Sequence, residues 1–183
     1  MKKRESYPIV LAGVERELPL FQVEPGLKIA LLNILGDVEL VRASTKALIK
    51  MLKDVEYDVI ITAESKSIPL AYEMARQTKK PYVVLRKSYK FYMGDAIKAE
   101  TVSITTLSTQ QLFLDEKDHN LIKGKKVLIV DDVISTGSTL GAMRDIVTKA
   151  GAEIVGEAAI CTEGEEAHWK GIYALAHLPL FKG

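Results

Sequence analysis

Residues Val127 to Thr139 read VLIVDDVISTGST, and this stretch constrains the fold more tightly than any other in the chain. An apolar run, an aspartate pair, two more apolar residues and a small hydroxylated loop follow one another. The continuation LGAMRDIVTKAGAE then has the pattern of a helix. The segment predicts a buried strand, an acidic edge, an anion-binding loop and a helix start. Lys126 to Val130 has the uninterrupted β-branched and leucine character of a parallel strand covered on both faces. Ser135, Thr136, Gly137, Ser138 and Thr139 are small, and Gly137 has access to backbone angles closed to other residues. Successive N–H groups there, reinforced by a helix N-terminus, would make a phosphate cradle. Asp131 and Asp132 fall at the carboxyl end of the strand, where open α/β sheets hold ligands. Carboxylates beside a phosphate cradle would repel phosphate unless they bind something else, and a ribose diol, with or without magnesium, is the natural candidate.

At these residues the chain resembles the type I phosphoribosyltransferases, whose ribose-phosphate motif joins strand, acid pair, T-G-S-T loop and helix in one register. The resemblance implies a central, mostly parallel sheet flanked by helices, a small N-terminal hood and a flexible lid. It also implies that Asp131, Asp132 and Ser135 to Thr139 bind phosphoribosyl pyrophosphate. A polar βα loop of an ordinary doubly wound protein explains the strand but not the acids followed by a phosphate-type loop. A receiver-like signalling domain explains the acids but not the loop. G-x-x-x-x-G-K-[ST] and G-x-G-x-x-G are both absent, which argues against nucleoside triphosphatase and dinucleotide-binding readings.

Length and composition fit one compact domain over residues 1–183, with a hood at about 1–35 and a core at about 36–183. The chain is 48% apolar and 27% charged, and its formal net charge of +1 gives no global case for nucleic-acid or membrane partners. The apolar part of MKKRESYPIVLAGVERELP is short and broken by Glu15-Arg16, unlike a signal peptide. A single cysteine, Cys161, allows no internal disulfide, and a cytoplasmic location is expected. Cys161 falls in a predicted strand and reads as a small core residue rather than a nucleophile.

Element signals run along the whole chain. Residues 7–23 suggest a hairpin around Ala12-Gly13. Asp37 caps a helix reaching about Lys53, with Leu40, Val41, Leu48, Met51 and Leu52 on its inner side. Asp58 to Ala63 is a strand, Ile68 to Lys79 a helix and Pro81 to Leu85 a strand. Thr101 to Thr106 and Gln110 to Leu114 are further strand candidates. After the motif strand come a helix at 139–150, a strand at 153–162 and a last strand near Ile172 to His177. Strands alternating with helices predict a parallel sheet.

Two further constellations carry chemistry. ITAESKS, residues 61–67, is a second buried strand ending in a small polar loop, on the same sheet edge as the aspartates. Lys66 with nearby amides suits a second anion, although a solvated loop lysine is the plainer alternative. ESKS resembles the E-S-R-G loop of adenine phosphoribosyltransferases, which implies a pyrophosphate role for Glu64, Ser65 and Lys66. Lysine lacks arginine's bidentate fork. Arg86-Lys87 resembles the family's R-K pair, which also approaches pyrophosphate and often reaches a neighbouring subunit. Residues 88–99 that follow, with Tyr89, Phe91, Tyr92 and Met93 around Lys90 and Gly94, are expected to form a lid that excludes water from the ribosyl centre. A surface for a subunit contact is the other reading. The resemblance implies that Glu100 handles the base's proton.

Ser135 stands where hypoxanthine and guanine enzymes of the superfamily carry an acid, so the resemblance favours adenine. LKIALLNILGDVELV and YMGDAIKAETVSITT are also similar to runs in xanthine phosphoribosyltransferases. Base contacts are expected from Leu32, Asn33 and Val133. Asn33 can present both donor and acceptor, or it can serve a turn. The expected activity is transfer of phosphoribose from phosphoribosyl pyrophosphate to a purine, with magnesium as cofactor and a homodimer as the assembly. The alternatives are a xanthine-type enzyme or a non-catalytic, nucleotide-sensing regulator with the same fold.

Overall fold

The computed structural model describes residues 4–102 and 109–182. The chain opens with β1 (Ser6–Leu11), β2 (Val14–Glu24) and β3 (Leu27–Ala30), an antiparallel meander. Ala12 and Gly13 both have positive φ, the two-residue geometry that matches strand twist in a tight hairpin. Helix α1 (Val38–Met51) follows, then β4 (Val59–Ala63), α2 (Ile68–Thr78) and β5 (Tyr82–Leu85). A hairpin of β6 (Ile97–Val102) and β7 (Thr109–Leu114) precedes the short α3 (His119–Ile122). The chain then runs through β8 (Lys126–Ile134), α4 (Ser138–Lys149), β9 (Glu153–Glu163), β10 (Tyr173–Leu178) and β11 (Phe181–Lys182).

The central sheet has the order β10-β9-β8-β4-β5, and every neighbouring pair is parallel. Because side chains alternate along a strand, one run of apolar residues fills two cores. Ile60, Leu128 and Val130 face α1, α2 and the N-terminal sheet, through Leu48, Met74 and Leu18. Val59, Ile61, Val127 and Ile129 face α4 and the hairpin, through Met143, Ile146, Ala99 and Leu112. Each fully buried Leu or Ile here contributes about 1.5–3 kcal/mol relative to exposure, which fixes the register and hence where the carboxyl ends open.

The expected α/β architecture is therefore observed, with local differences. Met51 is exposed rather than on the inner face of α1, while Leu40, Val41, Leu48 and Leu52 are buried. The motif strand does not stop at Val130 but continues through both aspartates to Ile134, because Asp131, Val133 and Ile134 pair with β9. The N-terminal sheet is closed by β11, which pairs with β3 across nearly the whole length of the chain. Residues 88–99, expected as one lid, divide into two structures. Residues 88–96 form a surface turn seated by buried Met93 and by Asp95 N donating to Glu116 Oε2 at 2.8 Å. Residues 97–99 begin β6, with Ala99 buried against α4. Of the strand expected at 101–106, residues 101 and 102 end β6 and the remainder lies outside the described residues. Among the described residues no helix is long and apolar enough to cross a membrane.

Arg16 of β2 ties the N-terminal sheet to the core. Its guanidinium donates to both oxygens of Asp37, at 2.7 and 2.8 Å. The same carboxylate caps α1 by accepting from Leu40 N at 3.1 Å. Arg16 holds the Asp37 carboxyl below its ordinary range. This one acid sets both the start of α1 and the seat of the hood, and loss of its cap alone costs about 1 kcal/mol.

Candidate active site

Three loops open on the carboxyl edge of the parallel sheet. The first follows β8. Asp131 and Asp132 are 8% and 5% exposed, so both carboxyl groups are taken out of water by the strand that carries them. Asp131 Oδ1 accepts from the Asp132 amide at 2.9 Å. Burial, then the charge of Asp132, push the Asp131 carboxyl up to about 7, against its ordinary 3.8. The Asp132 amide, hydrogen-bonded to it, draws it partly back.

Beyond Ile134 the chain turns through Ser135 and Thr136, both exposed, to Gly137 at φ +78°. Gly137 is the N-cap of α4 and supplies no capping side chain. The Thr136 and Ser138 hydroxyls lie 2.9 Å apart, and Thr136 Oγ1 receives only a long 3.4 Å contact from Ser138 N. The first turn of a twelve-residue helix therefore presents its amides at an exposed loop. Thr139 is half-buried in that turn.

The second loop, Glu64 to Ser67, joins β4 to α2. Ser67 is buried, donates to Ala63 O and accepts from Thr62 Oγ1, both at 2.8 Å, so the loop is braced from beneath. Ser65 is exposed at its tip. Lys66 reaches back across the edge, and its ammonium lies 2.9 Å from Asp132 Oδ2. The approach is off the hydrogen-bonding direction, so this buried oxygen has a counter-charge but no aligned donor. Lys66 Nζ is also 3.5 Å from the carbonyl of buried Leu32, which links the hood to both loops.

The third loop follows β5. Arg86 Nε donates to Glu64 Oε2 at 2.7 Å, and the Lys87 amide donates to Glu64 Oε1 at 2.6 Å. Glu64 thus orients the Arg86-Lys87 corner, and its charge raises the Arg86 pKa. The edge is graded in charge, with Arg86, Lys87 and Lys66 at one end and the aspartates beside them.

Other candidate residues are more dispersed. Val133 is half-buried, level with Cys161 on β9. Asn33 is exposed, and its Oδ1 accepts from Leu35 N at 3.2 Å, the turn-forming use of an asparagine. Glu100 is exposed on β6, where it accepts from Gln111 Nε2 at 2.9 Å and meets Lys98 Nζ at 3.3 Å. Its described partners all belong to the hairpin. Cys161 is fully buried, and its thiol is pushed up to about 12 by burial and by the charges of Asp132 and Glu163, which keeps it unreactive.

Sequence reading took Ser67 as a backbone amide beside Lys66 and missed the bracing role of its hydroxyl, and it missed Glu163 altogether. Glu163 ends β9 on the same edge and is buried, which raises its pKa, while His177 and Lys66 act in the opposite sense. The signal was available: Ala158 to Glu163 repeats the motif strand's pattern of an apolar run ending in an acid. Among the described residues no group of three or more His, Cys, Asp or Glu side chains is placed to hold a metal. The unaligned Asp132 oxygen and the acid pair fit an ion whose other ligands come from a bound substrate.

The family model for the phosphoribosyl transferase domain matches residues 33–175, which include all three loops. The chain belongs to the type I phosphoribosyltransferases. This phosphoribosyltransferase is 34% identical over 161 residues to the hypoxanthine/guanine phosphoribosyltransferase of Methanococcus voltae, covering 88% of this chain and 78% of the relative. It is 39% identical over 120 residues to the protein of the same name from Methanotorris igneus, covering 63% of this chain but only 61% of that relative. Among solved structures it resembles the adenine phosphoribosyltransferase of Thermoanaerobacter pseudethanolicus, with a TM-score of 0.69 at 19% identity over 94% of this chain and 95% of the other. At that identity the likeness concerns the phosphoribosyltransferase fold alone.

Proposed function

We propose that this protein transfers 5-phosphoribose from phosphoribosyl pyrophosphate to a purine base, releasing pyrophosphate and a nucleoside monophosphate. One observation carries the reading: a buried acid pair runs directly into an uncapped helix N-terminus and is met from the neighbouring loop by Lys66. The amides of Ser135 to Thr139 bind the 5-phosphate, and Asp131 and Asp132 accept hydrogen bonds from the ribose hydroxyls. Lys66, Ser65, Arg86 and Lys87 face the pyrophosphate, with Glu64 aiming the last two. The C1–oxygen bond to pyrophosphate breaks and a C1–nitrogen bond to the base forms. Most of the acceleration comes from holding the two reactants together and meeting the leaving charge with fixed cations. Magnesium, when bound with substrate near the acid pair, supplies further neutralisation of the leaving group. Glu100 takes the base's proton, and Leu32, Asn33 and Val133 line the base side.

For the base, we rank hypoxanthine and guanine first, because the relatives that are 34% and 39% identical carry those names. Adenine is the second reading, supported by Ser135 in place of an acid. The paired exposure of Phe91 and Tyr92 beside the Arg86-Lys87 corner supports a homodimer. The test is turnover of purified protein with phosphoribosyl pyrophosphate, magnesium and each of hypoxanthine, guanine, adenine and xanthine. Nucleoside monophosphate from hypoxanthine or guanine supports the first ranking, and product from adenine alone supports the second. No product from any purine, with no binding of phosphoribosyl pyrophosphate, rejects the reading.

A further inference from the structure

A loop whose amides must converge on a phosphate needs something to hold its shape, and Ser135 to Gly137 has little packing of its own. Its wall comes from a segment that the family motifs do not include. After β9 the chain makes a 3₁₀ turn, Glu166–Trp169, and returns as β10. The half-buried Trp169 indole lies against the α-carbon of Gly137, where an added Cβ would stand 3.0 Å from Cη2 and 3.4 Å from Cζ3. Trp169 Nε1 donates to the Glu163 carbonyl at 2.7 Å, which sets the ring's tilt. The corner that supplies this carbonyl is itself held. His177 Nε2 lies 3.1 Å from the Gly164 carbonyl and its Nδ1 lies 3.0 Å from Thr162 Oγ1. The carbonyl only accepts, so Nε2 bears a hydrogen, and the ring is fixed between the Gly164 carbonyl and the Thr162 hydroxyl. Gly164 also abuts the loop, with an added Cβ 4.0 Å from Ser135 O.

We infer that Trp169 is a positioning residue for the 5-phosphate loop, locked by the Thr162–Gly164 corner and His177. This rests on the phosphoribosyl reading and extends it to a residue outside the motif. Gly137 must hold φ +78° for the amides of α4 to face the ligand, and the flat indole is the wall against which that conformation is stacked. With the wall removed, the loop samples other shapes, and the ligand must order it on binding. The loss should fall on the phosphate-bearing end of the substrate. Pyrophosphate, held by Lys66 and the Arg86 corner, should be spared.

The experiment titrates Trp169→Ala and Trp169→Phe with ribose 5-phosphate and, separately, with inorganic pyrophosphate, magnesium present throughout. Trp169→Ala should raise the Kd for ribose 5-phosphate and the KM for phosphoribosyl pyrophosphate by about ten- to a hundredfold. Its pyrophosphate Kd should stay within about twofold, and its kcat at saturating substrate close to wild type. Trp169→Phe keeps a ring on Gly137 and should recover most of the loss. Trp169 is the chain's single tryptophan, so wild-type fluorescence should respond to ribose 5-phosphate and not to pyrophosphate. Unchanged ribose 5-phosphate affinity in Trp169→Ala overturns the inference. So does a parallel loss of both ligands, which marks a general structural defect. If Trp169→Ala does not fold, the wild-type fluorescence decides, and a signal indifferent to ribose 5-phosphate overturns it. A wild-type protein that binds neither ribose 5-phosphate nor phosphoribosyl pyrophosphate rejects the underlying reading as well.

Discussion

Lys66 stands 2.9 Å from Asp132 Oδ2, so the loop after β4 and the acid pair on β8 are joined by one ion pair across the sheet edge. The two side chains differ in exposure, at 42% for Lys66 and 8% for Asp132. The buried carboxylate is fixed by its strand, and the half-exposed lysine is the partner able to move. On the proposed reading, a substrate with a diol at one end and a pyrophosphate at the other would divide the pair, taking the aspartate to the sugar and the ammonium to the phosphates.

Lys66→Met should therefore weaken pyrophosphate binding. One charge-assisted contact contributes about 1.5–3 kcal/mol, a rise in Kd of roughly ten- to a hundredfold. Lys66→Arg keeps the charge and should retain most of the affinity. Calorimetric titration with inorganic pyrophosphate and magnesium reads this directly. Equal affinity in wild type and Lys66→Met would make Lys66 a solvated loop lysine.

Asp131→Asn should stabilise the protein in a pH-dependent way. The folded-state carboxyl sits at about 7 and the unfolded one near 3.8. Between those values the folded protein keeps a proton that the unfolded chain has released, so stability from this group falls as pH rises through the window. Asparagine removes that penalty. Its gain should be on the order of a few kcal/mol at pH 8 and should vanish near pH 4. Thermal unfolding of both proteins from pH 4 to 8 checks it, and a difference independent of pH would contradict the burial argument.

The sequence made some of this legible because some of it is local. Val127 to Thr139 is strand, acid pair, loop and helix in one continuous run, so apolar patterning and one glycine sufficed to place it. Asp37 could be read as a cap because capping spans only a few residues. What escaped depends on distant pairing. Phe181–Lys182 becomes a strand only because β3 offers it an edge. The aspartates stay within β8 because β9 continues beside them, which the apolar run ending at Val130 does not announce. Residues 88–99 looked like one polar-aromatic loop, yet Ala99 packs on α4, a helix about forty residues later in the chain. Trp169 carries no motif at all, and its place beside Gly137 follows from the return path between β9 and β10.

Within the phosphate loop, Gly137→Val should be severe and Ser138→Ala mild. A side chain at φ +78° carries a backbone cost of about 1–2 kcal/mol. Its Cβ would also meet the Trp169 ring at 3.0 Å. Among the described residues the Ser138 hydroxyl hydrogen-bonds Thr136, and the proposed cradle meets the ligand through backbone amides. Binding of ribose 5-phosphate should be lost in the first variant and fall by no more than about threefold in the second, a few tenths of a kcal/mol. Equal, small effects from both would count against an amide cradle.

Glu100 offers the sharpest test of the chemistry, because its hairpin role and its proposed catalytic role predict different outcomes for one substitution. Glutamine at this position keeps an oxygen to accept from Gln111, so β6 and β7 should stay paired and thermal stability should barely change. It loses the capacity to take a proton. If Glu100 is the base, single-turnover formation of the nucleoside monophosphate should slow by about a hundredfold, the usual scale for a positioned proton acceptor. Binding of phosphoribosyl pyrophosphate should be unaffected, since the proposed reading assigns the sugar, its 5-phosphate and its pyrophosphate to other loops. A variant with wild-type turnover would return Glu100 to the hairpin surface, where Lys98 and Gln111 already account for it.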